Sequence, residues 1–591
     1  MPSCDPDIQP QVPGASACPA APDGRLRLVC RAELIAALAV TAAIVVAHLA
    51  FMQSAGALWR DEANTVSIAT RPTLAEFWTA LEFESYPALW PLVIRAWDAA
   101  GPGATDDGLR LLGLCVGLAV LAALWWQARA LTGGPPLVAL VLVGASPTLI
   151  RWGDSMRAYG LGSLAAIVML AAVWRVVERP TRWRMLAAAV SGVIAVQVLF
   201  HSAILLACLC AGGAAVGLRR RDWRRPAALM AVGLPAALSI FINWVNVGDV
   251  HGWKALIKTS IDLPWIAHKF NEAVAASGDL TIAAWIAVLA IAMAACVFLL
   301  CGRGRRGPAE VPVQEPAGAS AADFGAHPPA GAAARPAAGP ADEKDMAIFV
   351  LTSLLVAAAC YTAFLLALSY TTEAWYYLLI MVLGAVLCDA VISLLVRSCV
   401  VARAVRLVLC IAVVVAMAPH VWGKVHIRMT NLDLVAATLE AEAGKDDLVV
   451  MAPWWPGITF SRYYHGPAPW VTVPDIADHR THRFDLMRER IMEADPMRPT
   501  LARMEAALRT GHRVWFVGAM AAPSAGPEPV PPPPMPGGPG WYEGTYDAAW
   551  LAQVSWLIRT HGAAATPVDV PVGRPVNLYE NMPLVRVEGW R

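Results

Sequence analysis

Leu58-Trp59-Arg60-Asp61-Glu62-Ala63-Asn64-Thr65 sets two adjacent carboxylates and an arginine just behind an apolar run that ends at Met52. The chain continues to Glu82-Phe83-Glu84-Ser85-Tyr86-Pro87-Ala88-Leu89-Trp90, too polar to cross a bilayer and too apolar for a free loop. Acidic groups at the end of a membrane-length segment, followed by an aromatic and proline-rich stretch, read as the mouth of a site on a membrane surface.

The apolar run itself extends from Leu34 to Met52 behind Arg25, Arg27 and Arg31, which is long enough to cross roughly 30 Å of hydrocarbon. A cleaved signal peptide would also use small residues such as Ser54-Ala55-Gly56-Ala57. Against that, the run exceeds the usual apolar core of a signal and its charged start lies well inside the chain. Composition agrees with a membrane protein. Of 591 residues, 57% are hydrophobic and 15% charged, against about a quarter charged in soluble domains, and mean hydropathy is +0.52. The net charge of +1 says nothing about nucleic acid, and no nucleic-acid partner is expected, because the basic residues cluster in short connections rather than spreading over one surface.

Working outward, apolar stretches at 34–52, 109–131, 135–151, 157–177, 184–201, 202–218, 226–246, 280–301, 346–369, 376–397 and 402–423 predict about eleven spans. The long run at 184–218 is cut near His201. With the N-terminus inside, Arg129, Arg175 to Arg184, Arg219 to Arg225, Arg303 to Arg306 and Arg397 to Arg406 all fall on the cytoplasmic side. The expected organisation is a disordered cytoplasmic N-terminus at 1–33 and a transmembrane core at 34–301 with outer loops 55–108, 151–156 and 247–279. A disordered Ala/Pro/Gly linker at 302–345 then leads to further transmembrane helices at 346–423 and an extracytoplasmic α/β domain at 424–591. None of the 12 cysteines falls in the three large outer segments, as an oxidising compartment would favour. In the tail, helical periodicity at 432–443, 499–509 and 546–560 alternates with strand-like runs at 447–451 and 513–517, and two short strands are expected near 576–579 and 584–587.

The outer segments hold the candidate chemistry. Asp61 and Glu62 follow the first span, Glu82 and Glu84 come later, and Arg151-Trp152-Gly153-Asp154-Ser155-Met156-Arg157-Ala158-Tyr159 forms a short turn. Asp61, Glu62 and Asp154 could offer hard oxygen ligands to Mg²⁺ or Mn²⁺, although arginines could supply the same charge. Trp454, Trp455, Tyr463, Tyr464 and Trp470 suit either sugar stacking or an interfacial aromatic belt.

Trp59-Arg60-Asp61-Glu62, Tyr86-Pro87-Ala88-Leu89, Leu109-Arg110-Leu111-Leu112, Ser146-Pro147 and Met156-Arg157-Ala158-Tyr159 occur in an order that resembles the GT-C glycosyltransferases. The branch most like it uses polyprenyl-phosphate sugars and contains the protein O-mannosyltransferases and the lipid A aminoarabinose transferases (glycosyltransferase family 39). The resemblance covers the first 200 or so residues well and the rest in plan.

It implies a mostly α, polytopic bundle of GT-C type. It also implies transfer of a mannose- or arabinose-type sugar from a polyprenyl-phosphate donor to a lipid, protein or polysaccharide acceptor, with inversion. The enzyme would sit in a bacterial inner membrane with its site facing the periplasm. Asp61 maps onto the family's base in the first outer loop, with Glu62 beside it, and Asp154 maps onto an acid of the next loop. A lipid phosphate leaving group needs its charge stabilised, which suits Arg157, Arg151, His201, Lys254, Lys258 or Lys269, while Glu84, Tyr86 and Tyr159 would line the substrate. No organic cofactor is implied. One departure is Thr371-Thr372-Glu373-Ala374-Trp375-Tyr376-Tyr377, where family members often carry an arginine. Two other readings are a flippase for lipid-linked saccharides and a non-catalytic envelope assembly protein.

Overall fold

The computed structural model describes residues 24–243, 261–276, 278–301, 340–368, 370–522, 527–535 and 543–591. Lys254 and Lys258, the segment before Gly24 and almost all of the 302–345 linker lie outside these residues.

Among the described residues, nine helices are long and apolar enough to cross a membrane, from Gly24–Ser54 to Val400–Val425, and the chain is a multi-pass membrane protein. Two of the eleven expected spans take other forms. Residues 182–198 make a helix of 17 residues, Arg182–Val198. The stretch at 135–151 is broken into Leu137–Ala139, a π-turn Leu140–Gly144 and a seven-residue helix Pro147–Gly153. The break follows from Pro135, Pro136 and Pro147, which withhold backbone donors. Asp389 Oδ1 accepts the Val138 backbone N–H at 2.8 Å, satisfying one orphan donor at the start of the broken helix.

Position in the bundle follows from the distribution of apolar residues. Leu378–Val396 is apolar on every side and buried almost throughout, as a central helix should be. Val400–Val425 lies at the rim, with Val401, Val408 and Val415 exposed at heptad spacing. Buried charges between helices are paired, as with Arg406 and Glu33 at 2.5 Å, because an unpaired one in hydrocarbon is costly.

The segment after the first span is a jacket of short helices, Arg60–Ala69, Leu74–Ala80 and Leu89–Ala99. Thr105 Oγ1 caps the next span, Asp106–Leu131, by accepting from Gly108 N at 3.2 Å, and Asp106 and Asp107 complement its dipole.

The C-terminal part is a five-stranded sheet of order β2-β1-β3-β5-β4, with β1 Leu448–Met451, β2 Trp470–Thr472, β3 Val514–Val517, β4 Gly562–Val568 and β5 Leu584–Trp590. β2, β1 and β3 run parallel, whereas β5 is antiparallel to β3 and β4. β1 and β3 are buried on both faces, as continuous apolar strands should be. Val449, Met451, Trp515 and Val517 pack with helix Leu432–Glu442. Leu448, Val450, Val514 and Phe516 pack with helices Arg498–Arg509 and Glu543–His561, following the two-residue alternation of strands. The strand expected at 576–579 is instead a 3-10 turn, Leu578–Glu580, because the Asn577 side chain accepts from Tyr579 N.

The sheet domain is fastened to the jacket by partly buried polar contacts. Asp106 takes Arg462 at 2.7 Å and the Tyr463 hydroxyl at 2.5 Å, and that hydroxyl accepts from Leu58 N at 2.8 Å. Met429 N donates to Ala55 O at 2.8 Å. Between them Gly56 adopts φ +65°, and a Cβ there would lie 2.6 Å from Arg428 Cζ, so this crossing requires glycine.

Candidate active site at the junction of bundle and sheet domain

The site begins at the first turn of helix Arg60–Ala69. Consecutive helical residues diverge by about 100°, so Asp61 and Glu62 face different surroundings. Glu62 is fully buried. It accepts from Arg110 Nη1 at 2.5 Å and Nη2 at 2.9 Å, from Met156 N at 2.9 Å and from Trp59 N at 3.2 Å. With four donors on its two oxygens, Glu62 is engaged by Arg110 and by the backbones of Trp59 and Met156.

Asp61 is partly exposed, its side chain 17% accessible. Its Oδ1 is 3.3 Å from Arg60 Nε and 3.5 Å from His482 Nε2. Burial alone would push its carboxyl up, but Arg157, His482 and Arg60 together hold it well below the usual carboxylate range. Arg157 is itself fixed. Its Nη1 donates to Glu84 Oε2 at 2.9 Å, Thr65 Oγ1 at 3.2 Å and Asp61 O at 3.4 Å, and its guanidinium lies 4.8 Å from the Tyr86 ring centroid. Glu84 also accepts from Asn64 Nδ2 at 3.0 Å, and the hydroxyls of Tyr86 and Thr65 meet. Glu84 and Tyr86, expected to touch substrate, therefore hold Arg157 behind Asp61. Tyr159 packs edge-on to Tyr376 at 6.2 Å between centroids.

Asp154 does not join Asp61. Its Oδ2 is 2.7 Å from His48 Nδ1 in the first span, in a space that exists only because Gly117 lacks a Cβ, which would lie 2.2 Å from Asp154 Oδ1. Burial raises the Asp154 carboxyl, opposed by His48 and Arg110. The expected oxygen-ligand trio therefore fails to assemble, Glu62 being saturated and Asp154 turned inward. Among the described residues no group of three His, Cys, Asp or Glu side chains could hold a metal ion.

A second region lies beside Trp59, where Trp152, Trp375 and Tyr579 form an aromatic cluster, Trp152 and Trp375 being 4.1 Å apart between centroids. Arg151 stands at its edge, 5.6 Å from the Trp152 ring and 3.8 Å from Met429 Sδ. Among the described residues no carboxylate pairs with it, and its Nε has no partner. An arginine guanidinium keeps its charge at neutral pH. Lys269 is bound at 3.0 Å by Glu272 and by Glu373, and Glu373 also accepts from the Tyr579 hydroxyl at 2.7 Å. The departure at Glu373 thus has a partner in Lys269. His201 is edge-on to Tyr361 at 6.1 Å, its Nε2 without a partner.

Over 81% of its length the chain is similar to ArnT. That structure, from Cupriavidus metallidurans bound to undecaprenyl phosphate, is covered over 92%, with 12% identity and a TM-score of 0.45; in its apo state the identity is 14% and the TM-score 0.38. The Archaeoglobus fulgidus oligosaccharyltransferase in complex with zinc and sulfate shares 9% identity over 80% of this chain and 67% of its own, with a TM-score of 0.39. No family model and no curated protein matches the sequence.

Sequence reasoning missed His482, which the sheet domain brings to Asp61 and whose backbone N–H donates to Asn64 Oδ1 at 3.0 Å. It also missed Glu580, whose Oε1 accepts from Arg60 N at 3.1 Å and Thr459 Oγ1 at 3.0 Å. Trp454 is a core residue, Tyr464 stacks on Phe460 at 4.7 Å and Tyr463 fastens the domain.

Glu580 supplies a pH test. Burial raises its carboxyl to about 8 against the opposing hydrogen bonds, so the fold holds a proton that the unfolded chain releases near pH 4.5. Its contribution is therefore complete below that value and is lost as pH rises towards 8, at about 1.4 kcal/mol per pH unit. Thermal melting in detergent should fall across that window in the wild type and flatten in Glu580→Gln; equal slopes would refute the assignment.

Proposed function

We propose that this chain is a GT-C membrane glycosyltransferase that moves a mannose- or arabinose-type sugar from a polyprenyl-phosphate donor to a lipid, protein or polysaccharide acceptor. The work would take place on the face carrying the sheet domain, periplasmic in a bacterial inner membrane. The observations that carry this reading are Asp61, a partly exposed carboxylate held ionised by Arg157, His482 and Arg60, and Arg151 beside the aromatic cluster, with which no carboxylate pairs among the described residues. The sequence pattern around Asp61 and Arg157 points the same way.

In this reading Asp61 takes the proton of the acceptor hydroxyl as that oxygen attacks the anomeric carbon from the face opposite the phosphate; the bond between sugar and phosphate breaks, the polyprenyl phosphate leaves and the anomeric configuration inverts. At rest Arg157 and Arg60 make Asp61 a weak base. A donor phosphate that draws on these cations weakens their hold and raises the proton affinity of Asp61 when it is needed. Arg151, with His201, receives the phosphate, whose charge is stabilised best by a planar donor.

The test is transfer from a radiolabelled polyprenyl-phosphate sugar to membrane extract by purified protein. Arg151→Gln should raise the KM for donor about tenfold or more with little change in melting. No transfer by the wild type would overturn the enzyme reading, and an unchanged KM would remove Arg151 from the donor site.

A further inference from the structure

The end of the bundle away from the sheet domain carries a cavity that the transfer chemistry leaves unused. Helix Asp106–Leu131 has its first turn at the sheet domain, where Asp106 meets Arg462, so Trp126 belongs to the far end. There, Trp126, Ala172, Arg175, Trp183, Arg184 and Ser191 line a hollow of about 280 Å³ among helices Asp106–Leu131, Tyr159–Glu178 and Arg182–Val198. Ala172 and Ser191 are short enough to leave the space open.

Two features identify its occupant. The first is charge: between positions 175 and 184 stand Arg175, Arg179, Arg182 and Arg184 against one acid, Glu178. Arg184 is 3.6 Å from Glu178 and donates to Arg175 O at 2.8 Å. Arg175 lies 5.1 Å from the Trp126 ring centroid, and among the described residues no carboxylate pairs with it. The second is an apolar track leading away from the arginines. On helix Arg182–Val198, Leu186, Val190 and Ile194 recur every fourth residue and are 51%, 48% and 45% exposed, a row on one face. Trp183 and Trp126, 68% and 41% exposed, mark the level where tryptophan sits between headgroups and chains.

We infer that this hollow binds an anionic phospholipid of the leaflet opposite the sheet domain, its phosphate held by Arg175 and Arg184 and an acyl chain laid along Leu186, Val190 and Ile194. Basic pockets between membrane helices recognise such headgroups. The volume falls just below the usual 300–1,000 Å³ of ligand pockets, which suits part of one chain and a headgroup rather than an enclosed lipid. The lined arginines distinguish the site from ordinary basic anchors, because Arg175 is held over an aromatic wall of the hollow.

Native mass spectrometry of the full chain, solubilised in neutral detergent and offered phosphatidylglycerol, phosphatidylcholine, undecaprenyl phosphate or inorganic phosphate, tests this. The wild type should retain phosphatidylglycerol over the other three. Arg175→Gln/Arg184→Gln should retain it about fivefold less for each charge removed, and Arg175→Lys/Arg184→Lys should keep most of the retention, which guards against a folding defect. Equal retention of the two phospholipids, unchanged retention in the glutamine variant, preference for the polyprenyl lipid, or protection by inorganic phosphate alone would each overturn the inference.

Discussion

Asp61→Asn should yield a folded, membrane-inserted protein whose transfer rate falls by about 10²–10⁴-fold, the range of a lost general base. Asparagine keeps the shape and can still meet Arg60 and His482, which lie 3.3 and 3.5 Å from Asp61 Oδ1. These pairs are only partly exposed and the neighbouring cations lose a counter-charge, so melting should fall modestly, by far less than for the buried Glu62 beside it. Amide nitrogen cannot take the acceptor proton, so the loss should fall on kcat, with KM for the donor little altered. Near-wild-type kcat would strip Asp61 of its role, while a large drop in melting would make it structural.

The neighbouring position should behave in the opposite way. Glu62→Gln leaves Arg110, itself buried, without its counter-charge, and breaking a buried pair costs about 3–5 kcal/mol. The Met156 backbone N–H, 2.9 Å from Glu62 Oε1, loses a charged acceptor in the same change. A much lowered melting temperature in detergent is expected, with transfer lost in proportion to folded protein. Replacing both partners, as in Glu62→Leu/Arg110→Met, should recover part of the stability because no charge is then stranded. Unaltered melting of Glu62→Gln would contradict the network.

The bundle was largely legible because apolar length is a direct signal. The division near His201 coincides with the gap between helices Arg182–Val198 and Ser202–Arg219, and continuous apolar runs marked β1 and β3. The broken helix at 137–153 was hidden because its composition is that of a span, while its geometry depends on prolines and on Asp389 from another helix. The site was legible only in part. Asp61 and Glu62 are chemically alike, and nothing local says which one faces Arg110. Asp154 looked like an outer-loop acid because its partner, His48, reads as an ordinary residue of the first span. His482 sits in a stretch without periodicity, 418 positions from the Asn64 it bonds, and no spacing rule reaches that far.

That distance has a consequence for how the protein comes into being. Leu58 and Arg60, at the start of helix Arg60–Ala69, are tied by their backbones to Tyr463 and Glu580. A ribosome delivers these partners only after the whole bundle has been made, so a nascent chain already threaded into the bilayer lacks the clasp that steadies Asp61. The clasp closes only after Glu580 has been made and the sheet domain has folded against the jacket.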